Sequence, residues 1–299
     1  MNKPLVLITG ASGFLGSYLV PFLLDLDYKI IGLTRNKSKQ NIRANLEWIE
    51  DLSELKTTQI DYVINLAGES IGSGRWTDKR KQQLIQSRVQ TTEQLYQYLS
   101  KNKIYPKRII SGSAVGFYGI DLTEMWAETC TEQSLSQTIF MSELCQKWET
   151  VVQQYPEQNT KIIRLGIVFG RKGGILPQML LPIKLNLIGK IGTGNQPCVW
   201  VHIHDVMKSI KFLMLTDTKA QVFNIVAPEK VNQRAFARTA ANLLKRKPFF
   251  SLPSFIMTLM LGEQSQLILN GQYVQPIAIQ AEGFEFDYPT LKQALTDLI

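Results

Sequence analysis

Three groups of residues in this chain have types and spacings that could do chemistry. The first is Gly10, Gly13 and Gly16, three glycines three apart. They follow a short apolar run, Leu5 to Ile8, and precede an apolar-periodic segment carrying Phe14, Leu15, Leu19, Phe22 and Leu23. Strand, glycine turn and helix in that order suit a pyrophosphate. One glycine permits the tight turn, the next a close backbone approach, and the third close packing of helix on sheet. The helix start adds unpaired N–H groups and a positive dipole end. The contact set expected there is Gly10, Ser12, Gly13, Phe14, Leu15 and Gly16.

The second group stands at the end of the next strand, Tyr28 to Thr34. A carboxylate at this point would bind a ribose 2′-hydroxyl, whereas an arginine accommodates a 2′-phosphate. The chain has Thr34-Arg35, with Lys37 and Lys39 following and no acid in place. NADP is expected rather than NAD. The third group is Ser111, Ser113 and Tyr118, where the strand from Lys107 runs into a Gly-bounded turn ending at Gly119. The serines alternate and point to one face. A hydroxyl there suits polarising a carbonyl beside a nicotinamide, and equally suits a plain backbone partner.

Other residues carry two readings each. Asn65 to Gly68 ends a buried strand, so Leu66, Ala67 and Gly68 should border the ligand; Asn65 either joins them or ties neighbouring strands. Arg75-Trp76 is a substrate contact or a stacked surface pair. Arg88 lies in a crossover helix, where arginine usually faces water. The loop Phe169 to Gly174 touches the ligand or merely connects. His202 and His204 alternate on an expected strand, but a metal needs a third ligand that nothing nearby signals. No metal is expected, and Asp205 reads as the N-cap of a helix over 206–215.

The elements that must position these groups alternate strand and helix as far as about residue 170, which implies a parallel sheet with helices on its faces. Helices are expected over 78–100, 137–154, 175–186, 232–244 and 253–261, and strands over 62–68, 162–168 and 222–226. The formal net charge is +8. The cations are scattered along the chain, Lys245-Arg-Lys247 being the densest cluster, and no nucleic-acid motif accompanies them, so a solvated basic surface is expected. Cys130, Cys145 and Cys198 show neither metal nor disulfide spacing, which suits a reducing, cytoplasmic setting. No signal peptide is read at the N-terminus. Phe249 to Leu261, the greasiest window, is too short to span a bilayer and reads as a buried or interface helix. No membrane or nucleic-acid partner is expected.

These residues resemble a known family. Thr9-Gly-Ala-Ser-Gly-Phe-Leu-Gly16, Asn65-Leu-Ala-Gly-Glu69, Ser87-Arg88, Ser113-Ala-Val-Gly-Phe-Tyr-Gly119, Trp200-Val-His-Ile-His-Asp205 and Asn224-Ile-Val-Ala-Pro228 are similar to the extended short-chain dehydrogenase/reductases. Within that family they resemble an atypical, sugar-nucleotide epimerase-like branch. The resemblance runs over nearly the whole chain. It implies an α/β fold, a Rossmann-type doubly wound parallel sheet with a smaller, interleaved C-terminal substrate region. The Rossmann part would be 1–170, completed by about 200–227, and the smaller region 171–199 and 228–299. It also implies that Thr34 and Arg35 hold the 2′-phosphate of NADP (NADPH), that Leu66, Ala67 and Arg88 lie along the cofactor, and that Val168 approaches the nicotinamide. A homodimer through paired helices is common in the wider family.

The family's reaction uses a Tyr-x-x-x-Lys pair on the helix after the serine strand, the lysine lowering the tyrosine pKa for proton transfer. Aligned on Glu149, this chain has Met141 and Cys145 there; Lys147 has Glu143 four residues before it. Ser113 alone keeps its place. The first reading is therefore an NADP-dependent oxidoreductase of the epimerase/dehydratase type on a small substrate, with Ser113 polarising the substrate oxygen and Tyr118 or a water supplying the proton. The alternative is a non-catalytic NADPH-binding sensor or scaffold. A conventional sugar-nucleotide epimerase is weakest, because it needs the missing pair.

Overall fold

The computed structural model describes residues 3–41 and 43–299. Its first unit is β1 (Leu5–Thr9), α1 (Phe14–Asp25) and β2 (Lys29–Leu33). β3 (Leu46–Ile49), β4 (Tyr62–Asn65), α2 (Asp78–Lys101), β5 (Arg108–Ala114), β6 (Thr129–Cys130) and α3 (Phe140–Gln153) follow. The expected strand over 162–168 is two. The chain breaks at Gly166 and changes sheets, giving β7 (Thr160–Leu165) and β8 (Ile167–Phe169). After them come α4 (Leu176–Lys184), β9 (Ile188–Ile191), β10 (Trp200–His202), α5 (Ile203–Leu215), β11 (Val222–Ile225) and α6 (Gln233–Leu243). The last part holds β12 (Phe250–Leu252), α7 (Ser254–Leu261), α8 (Gln266–Leu269), β13 (Tyr273–Val274), α9 (Ile277–Ala281) and α10 (Leu291–Leu298).

Seven strands form one parallel sheet in the order β11-β7-β5-β4-β1-β2-β3. The sheet is the Rossmann-type α/β arrangement expected. Its strand order reverses beside β1, which pairs with β2 on one side and β4 on the other. A crevice opens at such a switch point outside the carboxyl ends of the strands. Thr9, Thr34 and Asn65 mark that edge. Valine, isoleucine and leucine fill both faces: Val6, Ile8, Ile64 and Ile110 pack with α1 and α5, and Leu7, Val63 and Ile109 pack with α2. A separate core joins α4, α6 and α10 around Phe169, Trp200 and Phe236.

Three local expectations change. His202 and His204 do not share a strand. His202 ends β10 and caps α5, its Nδ1 accepting from the His204 amide at 3.1 Å. Asp205 is therefore not the cap; its carboxylate accepts instead from the Asp287 and Tyr288 amides at 2.8 and 3.1 Å. Of the two readings of the window Phe249 to Leu261, the buried one does not hold, Met257 being its one buried side chain, and the helix begins only at Ser254. Among the described residues no helix is long and apolar enough to cross a membrane.

Candidate functional site

The crevice begins at the glycine turn. Gly10 has φ +69°, and a Cβ there would lie 2.7 Å from the Leu66 carbonyl oxygen. A Cβ on Gly16 would lie 2.3 Å from the Ala11 carbonyl oxygen. Backbone thus fills the space that side chains would need. Gly13 caps α1 with no side-chain hydrogen bond, which leaves the first amides of the helix free for an anion. The side chain of Phe14 turns away from this anion position. Its ring packs against the loop of Gly170, Gly173 and Gly174, so Phe14 can offer the crevice only its amide. Tyr18 ties the same loop down, its hydroxyl accepting from the Lys172 amide at 2.8 Å.

At the end of β2, Thr34 is buried and its hydroxyl meets Ser12 Oγ at 2.9 Å. This pair braces the turn against the strand end. Beyond it the Arg35 side chain is 94% exposed, and the carboxylate paired with it, Glu69, stands 3.9 Å off. That guanidinium keeps nearly all its donors for a ligand, while Glu69 is also bound by Arg80.

On the far wall, Asn65 takes the second of its two readings and ties neighbouring elements together. It is fully buried, and it accepts from Thr9 Oγ1 at 2.7 Å and donates to Thr92 at 2.8 Å and Ser111 at 3.2 Å. This ties four elements together and holds the Leu66-Ala67-Gly68 backbone over the glycine turn. Arg88 reaches the same segment from α2. It donates to the Glu69 carbonyl at 2.8 Å, its guanidinium lies 5.5 Å from the Trp148 ring, and burial lowers its pKa. Such a guanidinium stays charged regardless. Trp76 packs on Phe140, and Arg75 donates to the Leu259 carbonyl. Val168 lies on β8, paired with Val201 of β10.

The serine strand ends in a buried network that the sequence did not reveal. Ser113 Oγ donates to Glu149 Oε1 at 2.6 Å. Arg164 clamps the same carboxylate through Nε at 2.9 Å and Nη2 at 2.7 Å. Its third nitrogen, Nη1, donates to the Tyr118 hydroxyl at 2.9 Å, and that hydroxyl donates to Asn224 Oδ1 at 2.7 Å. The Arg164 guanidinium also lies 3.4 Å from the Phe117 ring centroid. Glu149, Arg164 and Asn224 are the residues missed. Each stands in an ordinary strand or helix stretch far from the others in sequence, so no spacing marks them.

This geometry corrects the role expected of Tyr118. Its side chain is fully buried, both sides of its hydroxyl are taken, and burial pushes its pKa up to about 12. With its hydroxyl engaged on both sides, it serves the network. Ser113 also changes character, since its proton is committed to a carboxylate. Met141 and Cys145 lie together over the turn after β5, around the space a Cβ on Gly116 would enter. The Cys145 thiol is pushed to about 12, chiefly by burial.

Comparison with known proteins extends this picture. Residues 6–226 match the NAD dependent epimerase/dehydratase family, and residues 252–298 match a domain of unknown function, DUF1731. An epimerase family protein of Staphylococcus aureus strain NCTC 8325 is 37% identical over 298 residues, covering 98% of both chains. One from Staphylococcus saprophyticus is 36% identical over 300 residues, again covering 98% of each. Among solved structures, human epimerase family protein SDR39U1 with NADPH superposes with a TM-score of 0.88 at 29% identity, covering 98% of both chains. A nucleoside-diphosphate sugar epimerase from Corynebacterium glutamicum, at 24% identity and TM-score 0.76, covers 99% of this chain and 58% of its own, and shares the fold. With its parallel sheet, glycine turn and end-to-end match to these relatives, the chain belongs to the NAD dependent epimerase/dehydratase family.

Proposed function

We propose that the protein binds NADPH across the switch-point crevice and acts as an NADP-dependent oxidoreductase of the epimerase/dehydratase type on a small substrate. The observation that carries the cofactor choice is Arg35, exposed and nearly unpaired just beyond the buried Thr34. The human relative crystallised with NADPH supports it. When bound, the cofactor supplies or accepts a hydride. The chain's own residues do the rest. The turn of Gly10, Ser12, Gly13 and Gly16 with the amides of Phe14 and Leu15 holds the pyrophosphate, and Arg35 holds the 2′-phosphate. Leu66, Ala67, Gly68 and Arg88 line the crevice, with Val168 at the nicotinamide end.

Ser113 acts as an acceptor in this reading. Its hydrogen is held by Glu149, which Arg164 clamps from the other side, so its lone pairs remain for a substrate hydroxyl. That favours orienting an alcohol over polarising a carbonyl, and leaves the proton to water. Ser113→Ala should lower kcat by on the order of ten- to a hundredfold. An unchanged turnover of a verified substrate would remove Ser113 from the chemistry. Three buried cysteines without a disulfide support a reducing, cytoplasmic setting.

A second reading, a non-catalytic NADPH-binding sensor or scaffold, is favoured by Met141 and Cys145 in place of the family's tyrosine and lysine. Loss of deuterium from stereospecifically labelled NADPH in the presence of substrate panels separates the two. Exchange supports the oxidoreductase, and tight binding without exchange supports the sensor.

A further inference from the structure

The fold brings part of the basic charge that is scattered along the sequence into one lobe, around Lys190, Arg234 and Lys245 to Lys247. Residues 171–204 contain four lysines and arginines and no acid, and residues 230–262 contain six and no acid. These ten exceed the net charge of +8 for the whole chain, so the remainder holds more acids than bases. The two segments pack on each other: β9 pairs with β12, the Lys247 amide donates to Asn186 Oδ1 at 2.8 Å, and a Cβ on Gly194 would touch both Lys190 and Arg234. Among the described residues, none of the ten lysines and arginines pairs with an aspartate or glutamate side chain.

The same lobe exposes several large apolar side chains. Phe249 and Phe250 are 71% and 59% exposed, and on α7 Phe255 and Leu259 are 68% and 76% exposed, with Met260 beside them. Leu185 and Leu187 extend the surface, and the Phe250 amide bonds to the Leu187 carbonyl at 3.0 Å. A soluble surface rarely leaves so many large apolar groups together unless something covers them.

We propose that this lobe docks on a membrane containing anionic phospholipid, with the Phe249-Phe250 pair and the outer face of α7 entering the headgroup boundary. Only Pro248 separates the exposed run Lys245-Arg-Lys247 from the aromatic pair, so the cations meet lipid phosphates while the rings lie just below them. Leu185, Leu187, Leu259 and Met260 favour hydrocarbon over nucleic acid, since aliphatic groups gain little from stacking on bases. A helix of eight residues is about 12 Å long against a hydrocarbon core of about 30 Å, so the lobe lies on the bilayer and does not cross it. The inference stands apart from the proposed reaction.

Vesicle co-sedimentation of the full chain tests it. Phosphatidylcholine vesicles with and without phosphatidylglycerol are compared at low and high salt, using wild type, Phe255→Ser with Leu259→Ser, and Lys245, Arg246 and Lys247 all changed to Gln. Wild type is expected to sediment only with phosphatidylglycerol and to be released by salt. Loss of the three charges is expected to lower partitioning on the order of a hundredfold. The serine pair is expected to weaken it as well, with NADPH titration and Tm unchanged because these side chains are exposed. Failure to bind anionic vesicles at low salt overturns the proposal, as does binding that ignores both variants. Retention of a single-stranded oligonucleotide without vesicle binding overturns it in favour of nucleic acid. A concentration-dependent dimer lost in the serine pair, again without vesicle binding, overturns it in favour of a second copy.

Discussion

Arg35 at the crevice and Glu149 in the buried network show opposite uses of charge. Arg35 is solvated and waiting, so its removal touches binding and not the fold. In Arg35→Ala, NADPH affinity is expected to fall on the order of ten- to a hundredfold, with NADH affinity unchanged, because a charge-assisted phosphate contact is lost. Nicotinamide fluorescence titration with both cofactors checks this, and equal losses for both would refute a 2′-phosphate role. Glu149 and Arg164 are each about 5% exposed at the side chain. Breaking such a pair leaves a buried charge uncompensated, so Glu149→Gln should cost about 3–5 kcal/mol in denaturant unfolding. A loss below 1 kcal/mol would mean that the carboxylate is not held as described.

At the scale of elements, the cap of α5 gives a pH dependence. Burial lowers the His202 pKa from 6.5 to about 4. Its Nδ1 accepts the His204 amide, so the proton sits on Nε2, 3.3 Å from Asp297. Between those two pKa values the unfolded chain binds the proton and the fold does not. Stability is therefore fully present above pH 6.5 and falls as pH drops toward 4. The contribution is on the order of 3 kcal/mol across the window. His202→Asn keeps an acceptor for the cap and should flatten the stability slope between pH 4 and 6.5, as read by chemical unfolding at several pH values. A slope equal to wild type would assign the pH dependence elsewhere.

The elements that were legible in sequence share a cause. β1, the glycine turn and α1 are written by contiguous residues, as are the long periodic α2 and the apolar runs of β4 and β5. β3 was not legible, since Leu46–Ile49 is only four residues and one of them is a glutamate. The cap of α5 was misread because His-Ile-His-Asp offers two candidates. Asp is the better cap by preference, and only the distant amides of Asp287 and Tyr288 divert it. Within the site, the cofactor side was legible for the same reason of contiguity. The Ser113–Glu149–Arg164–Tyr118–Asn224 network is made of residues that meet only through the sheet.

For the whole molecule, the two halves of the site belong to one cooperative structure, because the crevice is built by β1, β2 and β4 while the network joins β5, α3, β7 and β11. Ligand binding should then stabilise the entire chain. NADPH at a hundred times its Kd is expected to add about 2.7 kcal/mol, raising Tm by on the order of 5 °C. Differential scanning fluorimetry reads this directly. A single shifted transition is the expected result; two transitions, only one of them moved, would show that the C-terminal region unfolds independently.

The buried network also has a consequence in time. Tyr118 and Asn224 are 106 residues apart in the chain. A ribosome adding about 5–20 residues per second needs roughly 5–20 s to deliver the second after the first. Once Arg164 has followed, 46 residues after Tyr118, it can pair with Glu149, but the tyrosine still lacks its acceptor and the sheet lacks its last strand. The nascent chain must wait, half-assembled and with apolar strand edges open, in the care of whatever holds unfinished polypeptides in its cell.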